Sequence, residues 1–290
     1  MKSIELPAGR HAVLALHGLM GNPLEMQFIG KKLQRAGYSV VIPLIPGYGY
    51  SSGQKDNYRS TRSEKWYEEV QRQFDALKRN YDSVSITGLC IGAVLGLRLA
   101  AERGDEVAAL SLLATTLYYD GWSIPKYRFL LPLAYYTPLR SRYSYKERYP
   151  FGLKNENLRN WIAREMKVTS SSAAGASSLS AEGIFQAHRL IKKVRKTLPQ
   201  VRCPTLIIHA EEDDVATPRS ANLVESKIAS AVKKKIILKN SYHIITLDNE
   251  KERVAAETIN FFQNNVPQSS HAIAKTGSDL VDDRLKVEHI

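Results

Sequence analysis

The chain has 290 residues, of which 43% are hydrophobic and 24% are charged, a composition that supports one large core and excludes a membrane-embedded or wholly disordered protein. The formal net charge is +12, and residues 116–200 carry most of it, with fifteen Lys or Arg against five Asp or Glu. Two cysteines, Cys90 and Cys203, are too few for a disulfide scaffold, and the N-terminal residues lack a signal-like apolar block. We therefore expect a cytoplasmic location.

Short apolar runs alternate with amphipathic segments along the chain. The apolar runs predict six strands, at residues 12–16, 39–43, 83–87, 107–113, 205–209 and 234–238. The amphipathic segments predict helices at residues 23–36, 63–80, 219–228 and 250–263, with a further apolar helix that ends near residue 101. This alternation predicts an α/β fold with a mostly parallel sheet of about six strands and helices on both faces.

Residues 116–200 interrupt the alternation between the fourth and fifth predicted strands. They are too many for a simple loop, and they contain two predicted helices, at residues 156–166 and 181–198. We expect residues 1–115 and 201–265 to form the α/β core, and residues 116–200 to form an inserted helical cap. Residues 266–290 show no sustained periodicity, so we expect a loosely ordered tail.

The third predicted strand runs directly into the turn Gly88-Leu89-Cys90-Ile91-Gly92. A nucleophile between two glycines is typical of the sharp strand-to-helix turn that exposes a catalytic side chain. Gly88 and Gly92 would allow the close packing of strand and helix, and the helix N-terminus would favour the thiolate of Cys90. The alternative is that Cys90 is a small buried core residue, as many free cysteines are.

A second glycine-flanked loop, His17-Gly18-Leu19-Met20-Gly21, follows the first predicted strand. In this architecture an oxyanion hole takes one backbone N–H from such a loop and one from the residue after the nucleophile. The candidate donors are therefore the amides of Leu19 and Ile91. We expect His17 to be a structural residue at the strand end.

An acidic stretch and a histidine follow the fifth and sixth predicted strands. Residues 211–214 read Glu-Glu-Asp-Asp, and His243 stands in the sequence SYHIIT. The order of nucleophile, acid and histidine, each after a later strand, is expected of a hydrolase triad on a parallel sheet.

Five motifs in this order resemble the α/β-hydrolase superfamily, and within it the compact carboxylesterases and monoacylglycerol-lipase-like enzymes. They are LALHGLMGNP, GYSVVIPLIPGYG, ITGLCIGA, LIIHAEEDDVATP and SYHIITLDNE, and the resemblance covers about residues 11–265. It implies that Asp213 is the triad acid, because the family's acid lies five residues before the proline matched by Pro218. It also implies that His243 is the base. Asp214 is the second choice for the acid.

Two positions depart from the pattern of the superfamily. Most relatives have Ser at the position of Cys90, although Cys also occurs there in dienelactone hydrolases and polyhydroxyalkanoate synthases. A thiolate would attack an ester or thioester and form an acyl-thioester intermediate, which thiols and amines can intercept. The family also often has His where Tyr48 stands.

The expected cap is both basic and rich in tyrosine, and it contains the apolar stretch FLLPLA at residues 129–134. An apolar pocket would suit an acyl chain, and a basic rim would suit an anionic carrier such as an acyl carrier protein or coenzyme A. The simpler interpretation is that the charges are solvated and the tyrosines pack the cap. No nucleic-acid motif, metal-ligand spacing or dinucleotide fingerprint is present, so we predict no nucleic-acid partner, no metal, no cofactor and no stable membrane insertion.

Three functions therefore remain open. The first is hydrolysis of a carboxylic ester or thioester through Cys90, His243 and Asp213. The second is acyl transfer through the same residues to a carrier or metabolite. The third is ligand binding without catalysis by a homologue that has lost the usual Ser.

Overall fold

The structure is a computed structural model that describes residues 2–48, 61–125 and 149–266, except residues 170, 173, 174 and 177, together with residues 135, 137 and 144–146. Its strands are β1 (Ile4–Leu6), β2 (His11–Leu16), β3 (Ser39–Ile42), β4 (Ser83–Leu89), β5 (Leu110–Leu113), β6 (Ser144–Lys146), β7 (Ser171–Ser172), β8 (Gly175–Ala176), β9 (Ser178–Ser180), β10 (Thr205–Ala210) and β11 (Lys233–Leu238). Its helices are α1 (Leu24–Arg35), α2 (Ser63–Asn80), α3 (Ile91–Arg103), α4 (Glu156–Thr169), α5 (Ala181–Thr197), α6 (Arg219–Lys227) and α7 (Lys251–Asn265).

Seven strands of the described chain form one sheet in the order β1-β3-β2-β4-β5-β10-β11. All neighbours pair in parallel except β1, which runs antiparallel to β3. The predicted mostly parallel sheet is thus confirmed, and each of the six predicted strands is present. The sequence analysis missed β1 because this edge strand has only three residues, none of them fully buried, and so lacks a clear apolar pattern.

Helices cover the sheet on both faces. On β5, the side chain of Leu110 lies against α3 at Gly96, whereas the hydroxyl of the next residue, Ser111, is 3.1 Å from that of Thr258 on α7. Because successive side chains of a strand point to opposite faces, α3 and α7 lie on opposite faces of the sheet. The central strands β2, β4, β5 and β10 are buried nearly throughout, which explains why they read as continuous apolar runs.

The segment expected to form a cap is only partly described. Residues 126–134, 136, 138–143, 147 and 148 lie outside the described residues, and with them the apolar stretch at 129–134 and three tyrosines of the expected cap, Tyr127, Tyr136 and Tyr143. Helix α5 buries Ala187, Leu190 and Val194 in the same core as α3. The division into core and cap stays a prediction, and the predicted tail lies outside the described residues from 267 onward.

None of the helices in the described part of the chain combines the length and the apolar composition that a membrane-spanning helix requires.

Candidate active site

The turn between β4 and α3 places Cys90 in a backbone conformation that is rare for a residue with a side chain. Its φ is 57° and its ψ is −117°. A Cβ on Gly88 would lie 2.6 Å from the backbone of Gly92, and a Cβ on Gly92 would overlap the carbonyl oxygens of Leu16 and His17. Both glycines are therefore required by the close approach of β4, α3 and the end of β2.

The side chain of Cys90 is almost enclosed, with 9% of its surface exposed. Its Sγ lies 3.3 Å from Oγ1 of Thr116, which follows β5. Ile91 is the first residue of α3, so its backbone N–H has no acceptor within the helix. The helix N-terminus therefore presents partial positive charge beside the sulfur.

A buried carboxylate and imidazole pair lies across the loops that follow β10 and β11. Nδ1 of His243 is 2.9 Å from Oδ1 and 2.8 Å from Oδ2 of Asp213. Oδ1 of Asp213 also accepts hydrogen bonds from the backbone N–H groups of Val215 and Ala216, at 2.9 and 2.8 Å. These bonds orient the carboxylate, and the carboxylate in turn orients the imidazole ring.

The two members of this pair have opposite pKa shifts. Burial raises the pKa of Asp213, but the charge and hydrogen bond of His243 outweigh burial and hold that pKa below its usual value. Burial lowers the pKa of His243, but the carboxylate of Asp213 and, to a lesser extent, the neighbouring Cys90 raise this pKa well above its usual value. The pair thus favours the imidazolium form of His243.

The second ring nitrogen of His243 is the atom available to the nucleophile. Nε2 is buried and makes no hydrogen bond of ordinary geometry to any atom of the described residues. The sulfur of Cys90 is nevertheless near enough to raise the pKa of His243. The structure therefore brings Cys90, His243 and Asp213 together in the order that a triad requires.

Asp214, the second choice for the acid, occupies a different position. Its Oδ1 accepts a hydrogen bond of 3.2 Å from the backbone N–H of His243 and does not contact the ring. Burial, and to a lesser extent the charge of Asp213, raises the pKa of Asp214 to about 6. The geometry therefore favours Asp213 as the partner of the imidazole.

The two other histidines near the site have local partners. Nδ1 of His17 donates to the carbonyl of Gly18 at 2.9 Å, and burial lowers the pKa of His17 to about 4. Nε2 of His209 is 2.7 Å from the carbonyl oxygen of Ala216, and burial also lowers the pKa of His209. Both side chains are fully buried, which suits structural roles.

The candidate oxyanion loop follows β2 and touches the Cys90 turn, since a Cβ on Gly18 would lie 3.5 Å from the Cβ of Cys90. The backbone N–H of Gly18 donates to Glu25 at 2.8 Å, and that of Met20 donates to the carbonyl of Tyr48 at 3.1 Å. Between them, the N–H of Leu19 has no acceptor among the described residues, and neither has that of Ile91. These are the two amides predicted to hold an oxyanion.

Two residues that support this loop were not identified as such from the sequence. Glu25 is buried in the first turn of α1, and its carboxylate lies against Gly18 and Gly21. The buried hydroxyl of Tyr48 donates to the carbonyl of His17 at 2.6 Å. The sequence did show that Tyr48 replaces the His that is common in the superfamily. Nothing in the local sequence pattern indicated that the side chain of Glu25 points back toward the oxyanion loop.

Comparisons with known proteins identify the family to which the chain is similar. The chain matches the family described as serine aminopeptidase, S33, over residues 7–252. A thermostable monoacylglycerol lipase from Bacillus sp. (strain H-257) is 27% identical over 254 residues, which cover 88% of this chain and 91% of the relative. A carboxylesterase from Bacillus subtilis (strain 168) is 24% identical over 268 residues, which cover 90% of this chain and 96% of the relative.

A solved structure reported for the metagenome-derived lipolytic enzymes LipS and LipT has the same fold. It superposes with a TM-score of 0.75 at 23% identity, and the match covers 91% of this chain and 97% of the other.

Proposed function

This chain belongs to the serine aminopeptidase, S33 family of the α/β-hydrolase superfamily, and we propose that it hydrolyses carboxylic esters or thioesters with Cys90 as the nucleophile. The relatives, named a monoacylglycerol lipase and a carboxylesterase, indicate a carboxylesterase-like hydrolase. The observation that best supports Cys90 as the nucleophile is the buried Asp213–His243 pair. Nδ1 of His243 contacts Asp213, so Nε2 is left to accept a proton from Cys90, which is held at a positive φ.

The first half of the reaction acylates the enzyme. The proton of the Cys90 thiol passes to Nε2 of His243, and the sulfur then attacks the carbonyl carbon of the ester. The backbone N–H groups of Leu19 and Ile91 stabilise the oxyanion of the tetrahedral intermediate. His243 then gives its proton to the leaving oxygen, and the alcohol departs from the acyl-thioester.

The second half of the reaction releases the acid. His243 takes a proton from water, whose oxygen attacks the carbonyl carbon of the acyl-thioester. The second tetrahedral intermediate collapses with cleavage of the carbon–sulfur bond, and the sulfur is reprotonated by His243. Asp213 holds the imidazole in one orientation throughout and stabilises its charged form.

The relatives indicate the class of substrate. The two curated relatives are named a monoacylglycerol lipase and a carboxylesterase, so an ester with an aliphatic acyl chain is the first candidate. Such a chain would need an apolar pocket near Cys90. The apolar stretch at residues 129–134 of the expected cap lies outside the described residues.

Acyl transfer to a carrier is the second candidate, and the basic face of α5 favours it. The exposed residues of this face are Arg189, Lys192, Lys193, Arg195 and Lys196. Such a face would attract an acyl carrier protein or coenzyme A, both of which are anionic. This partner stays a prediction.

Intact-protein mass spectrometry after brief exposure to p-nitrophenyl esters and acyl-coenzyme A thioesters tests the proposal, with Cys90→Ala as the control. We expect an acyl adduct on Cys90 that disappears in water as product accumulates. Cys203 is an internal control, since burial raises the pKa of its thiol to about 12 and keeps it unreactive.

Three other outcomes change the conclusion. An adduct that persists until a thiol or amine is added indicates an acyltransferase. Hydrolysis that survives in Cys90→Ala contradicts the assignment of the nucleophile. A folded protein that forms no adduct and turns over no substrate supports a binding role without catalysis.

A further inference from the structure

The side chain of Thr116 touches the sulfur of Cys90 and has no role in the proposed mechanism. Its Oγ1 lies 3.3 Å from Sγ, a distance that allows a hydrogen bond in either direction. Thr116 is fully buried, and its hydroxyl also lies 3.4 Å from the carbonyl oxygen of Ala114, which is a longer contact. A buried hydroxyl beside a nucleophile can change how readily that nucleophile becomes charged.

The segment that carries Thr116 is tied to the Cys90 turn before it and to α6 after it. The backbone N–H of Cys90 donates to the carbonyl of Leu113, the last residue of β5, at 2.9 Å. The backbone N–H of Leu117 donates to Oγ of Ser220 at 3.1 Å. These bonds on either side of Thr116 hold its hydroxyl next to the sulfur. They also occupy the N–H of Cys90, so this N–H is not available to a charge on the sulfur.

The two protonation states of Cys90 use the Thr116 hydroxyl differently. A thiol is only a weak hydrogen-bond donor, whereas a thiolate accepts a charge-assisted hydrogen bond, which is about twice as strong as a neutral one. A hydrogen bond to the charged form of an acid favours that form. The hydroxyl therefore stabilises the thiolate more than the thiol. It partly offsets the hydration that a charged sulfur loses when only 9% of Cys90 is exposed.

His243 supplies the matching positive charge. Burial lowers the pKa of His243, but Asp213 and Cys90 raise it well above its usual value, so the imidazolium is the favoured form. His243 thus takes the proton of the thiol, while Thr116 stabilises the sulfur that has lost it. Once the sulfur is acylated it carries no negative charge, and the Thr116 hydroxyl can turn to the carbonyl of Ala114.

We propose that the Thr116 hydroxyl donates a hydrogen bond to the thiolate of Cys90, so that Thr116 is a further catalytic residue of the acylation step. The proton of the thiol passes to Nε2 of His243, and no covalent bond of Thr116 changes. The inference rests on the proposed function, because it takes Cys90 as the nucleophile.

The test measures how the reactivity of Cys90 depends on pH, by alkylation with iodoacetamide and mass spectrometry of the peptide that contains Cys90. The thiolate is the form that reacts, so the midpoint of the rate profile reports the pH at which half of Cys90 is charged. Thr116→Val replaces the hydroxyl with a methyl group, and we expect its midpoint to rise by about one pH unit. Thr116→Ser keeps the hydroxyl and should keep the wild-type midpoint.

The matched control is Thr115→Val. Thr115 is also fully buried, but its hydroxyl has no hydrogen-bond partner among the described residues. The same substitution at this neighbouring position should therefore leave the midpoint of Cys90 alkylation unchanged.

Hydrolysis of a p-nitrophenyl ester supplies the second readout. In Thr116→Val we expect kcat/KM to fall by about tenfold below the wild-type midpoint and to approach the wild-type value above the midpoint of the variant, where the thiolate forms without the hydroxyl. A purely structural role would lower kcat/KM by the same factor at every pH and would leave the alkylation midpoint in place.

The outcomes separate this inference from the proposed function. An unchanged midpoint in Thr116→Val, or an equal shift in Thr115→Val, overturns the role of Thr116 and leaves Cys90 as the proposed nucleophile. A shifted midpoint in a protein whose ester hydrolysis survives in Cys90→Ala supports the hydrogen bond but contradicts the proposed function, and with it the catalytic role. A wild-type Cys90 that iodoacetamide alkylates at no pH overturns both.

Discussion

The Cys90 turn and the loops that carry Asp213 and His243 meet at one edge of the sheet, but they are held in different ways. Backbone packing positions the nucleophile, because glycines at 88 and 92 let β4, α3 and the end of β2 approach closely. Side-chain hydrogen bonds position the acid and base, because the carboxylate of Asp213 joins its own loop to the imidazole ring. The geometry of the Cys90 turn depends on the lack of side chains at positions 88 and 92. The geometry of the acid and base depends on the hydrogen-bonding groups of the Asp213 and His243 side chains.

This difference predicts different consequences of substitution. A larger residue in the Cys90 turn should destabilise the whole fold, since no backbone there can move independently. A conservative change of Asp213 or His243 should leave the fold intact and remove activity.

The largest effect is expected from Asp213→Asn. The amide cannot stabilise the imidazolium form of His243, so we expect kcat for ester hydrolysis to fall by about 10³-fold or more. The matched variant is Asp214→Asn. The side chain of Asp214 bonds to the backbone N–H of His243 and not to its imidazole ring, so we expect this variant to retain kcat within about tenfold. Steady-state kinetics of both variants measure the two losses of kcat. Equal losses would contradict the assignment of Asp213, rather than Asp214, as the partner of the imidazole.

The next effect concerns stability. In Gly92→Ala the new methyl group would overlap the carbonyl oxygens of Leu16 and His17, so we expect the free energy of unfolding to fall by about 3 kcal/mol. Gly96→Ala, one turn later in α3, is the control. Its Cβ would lie 3.2 Å from Ile86 and 3.3 Å from Leu110, both side chains that can shift, and we expect a loss of about 1 kcal/mol. Urea denaturation measures the free energy of unfolding of both variants. A Gly92→Ala variant as stable as the wild type would contradict the close packing of the turn.

A smaller effect follows from the raised pKa of Asp214. Its pKa of about 6 in the folded protein exceeds the value of 3.8 for an unperturbed carboxyl, so between these pH values the folded state binds a proton that the unfolded chain releases. The stability contributed by this group therefore falls as pH rises through that window. Asp214→Asn should remove this fall and raise the free energy of unfolding at pH 7 by about 2 kcal/mol. Urea denaturation at pH 4 and pH 7 checks it, and a variant that follows the wild-type pH dependence would show that another group is responsible.

The smallest effect tests the backbone of Cys90 itself. At a φ of 57° glycine is less strained than any residue with a Cβ. We expect Cys90→Gly to be more stable than Cys90→Ala by about 1 kcal/mol, although both lack the nucleophile. Calorimetry of the two variants measures this difference. The opposite order would mean that the turn relaxes when the sulfur is removed.

Much of the fold could be predicted from the chain alone. The central strands are buried on both faces, so each appears as an uninterrupted apolar run, and the helix at Ser63–Asn80 was predicted with its observed bounds. The resemblance to the α/β-hydrolase superfamily is confirmed by the family match. The edge strand β1 was missed because half-exposed short strands carry little pattern.

The candidate site could be predicted only in part. The sequence by itself determined the turn around Cys90, since its glycines are neighbours in the chain, and the order of nucleophile, acid and histidine. The local pattern does not separate Asp213 from Asp214, and the resemblance to the superfamily alone favoured Asp213, because the imidazole that distinguishes the two carboxylates is about thirty residues away in the chain. The support of the oxyanion loop by Glu25 and Tyr48 likewise depends on where side chains from other elements point. Local backbone geometry follows from neighbouring residues, whereas the partners of a polar group depend on which distant segments the fold brings beside it.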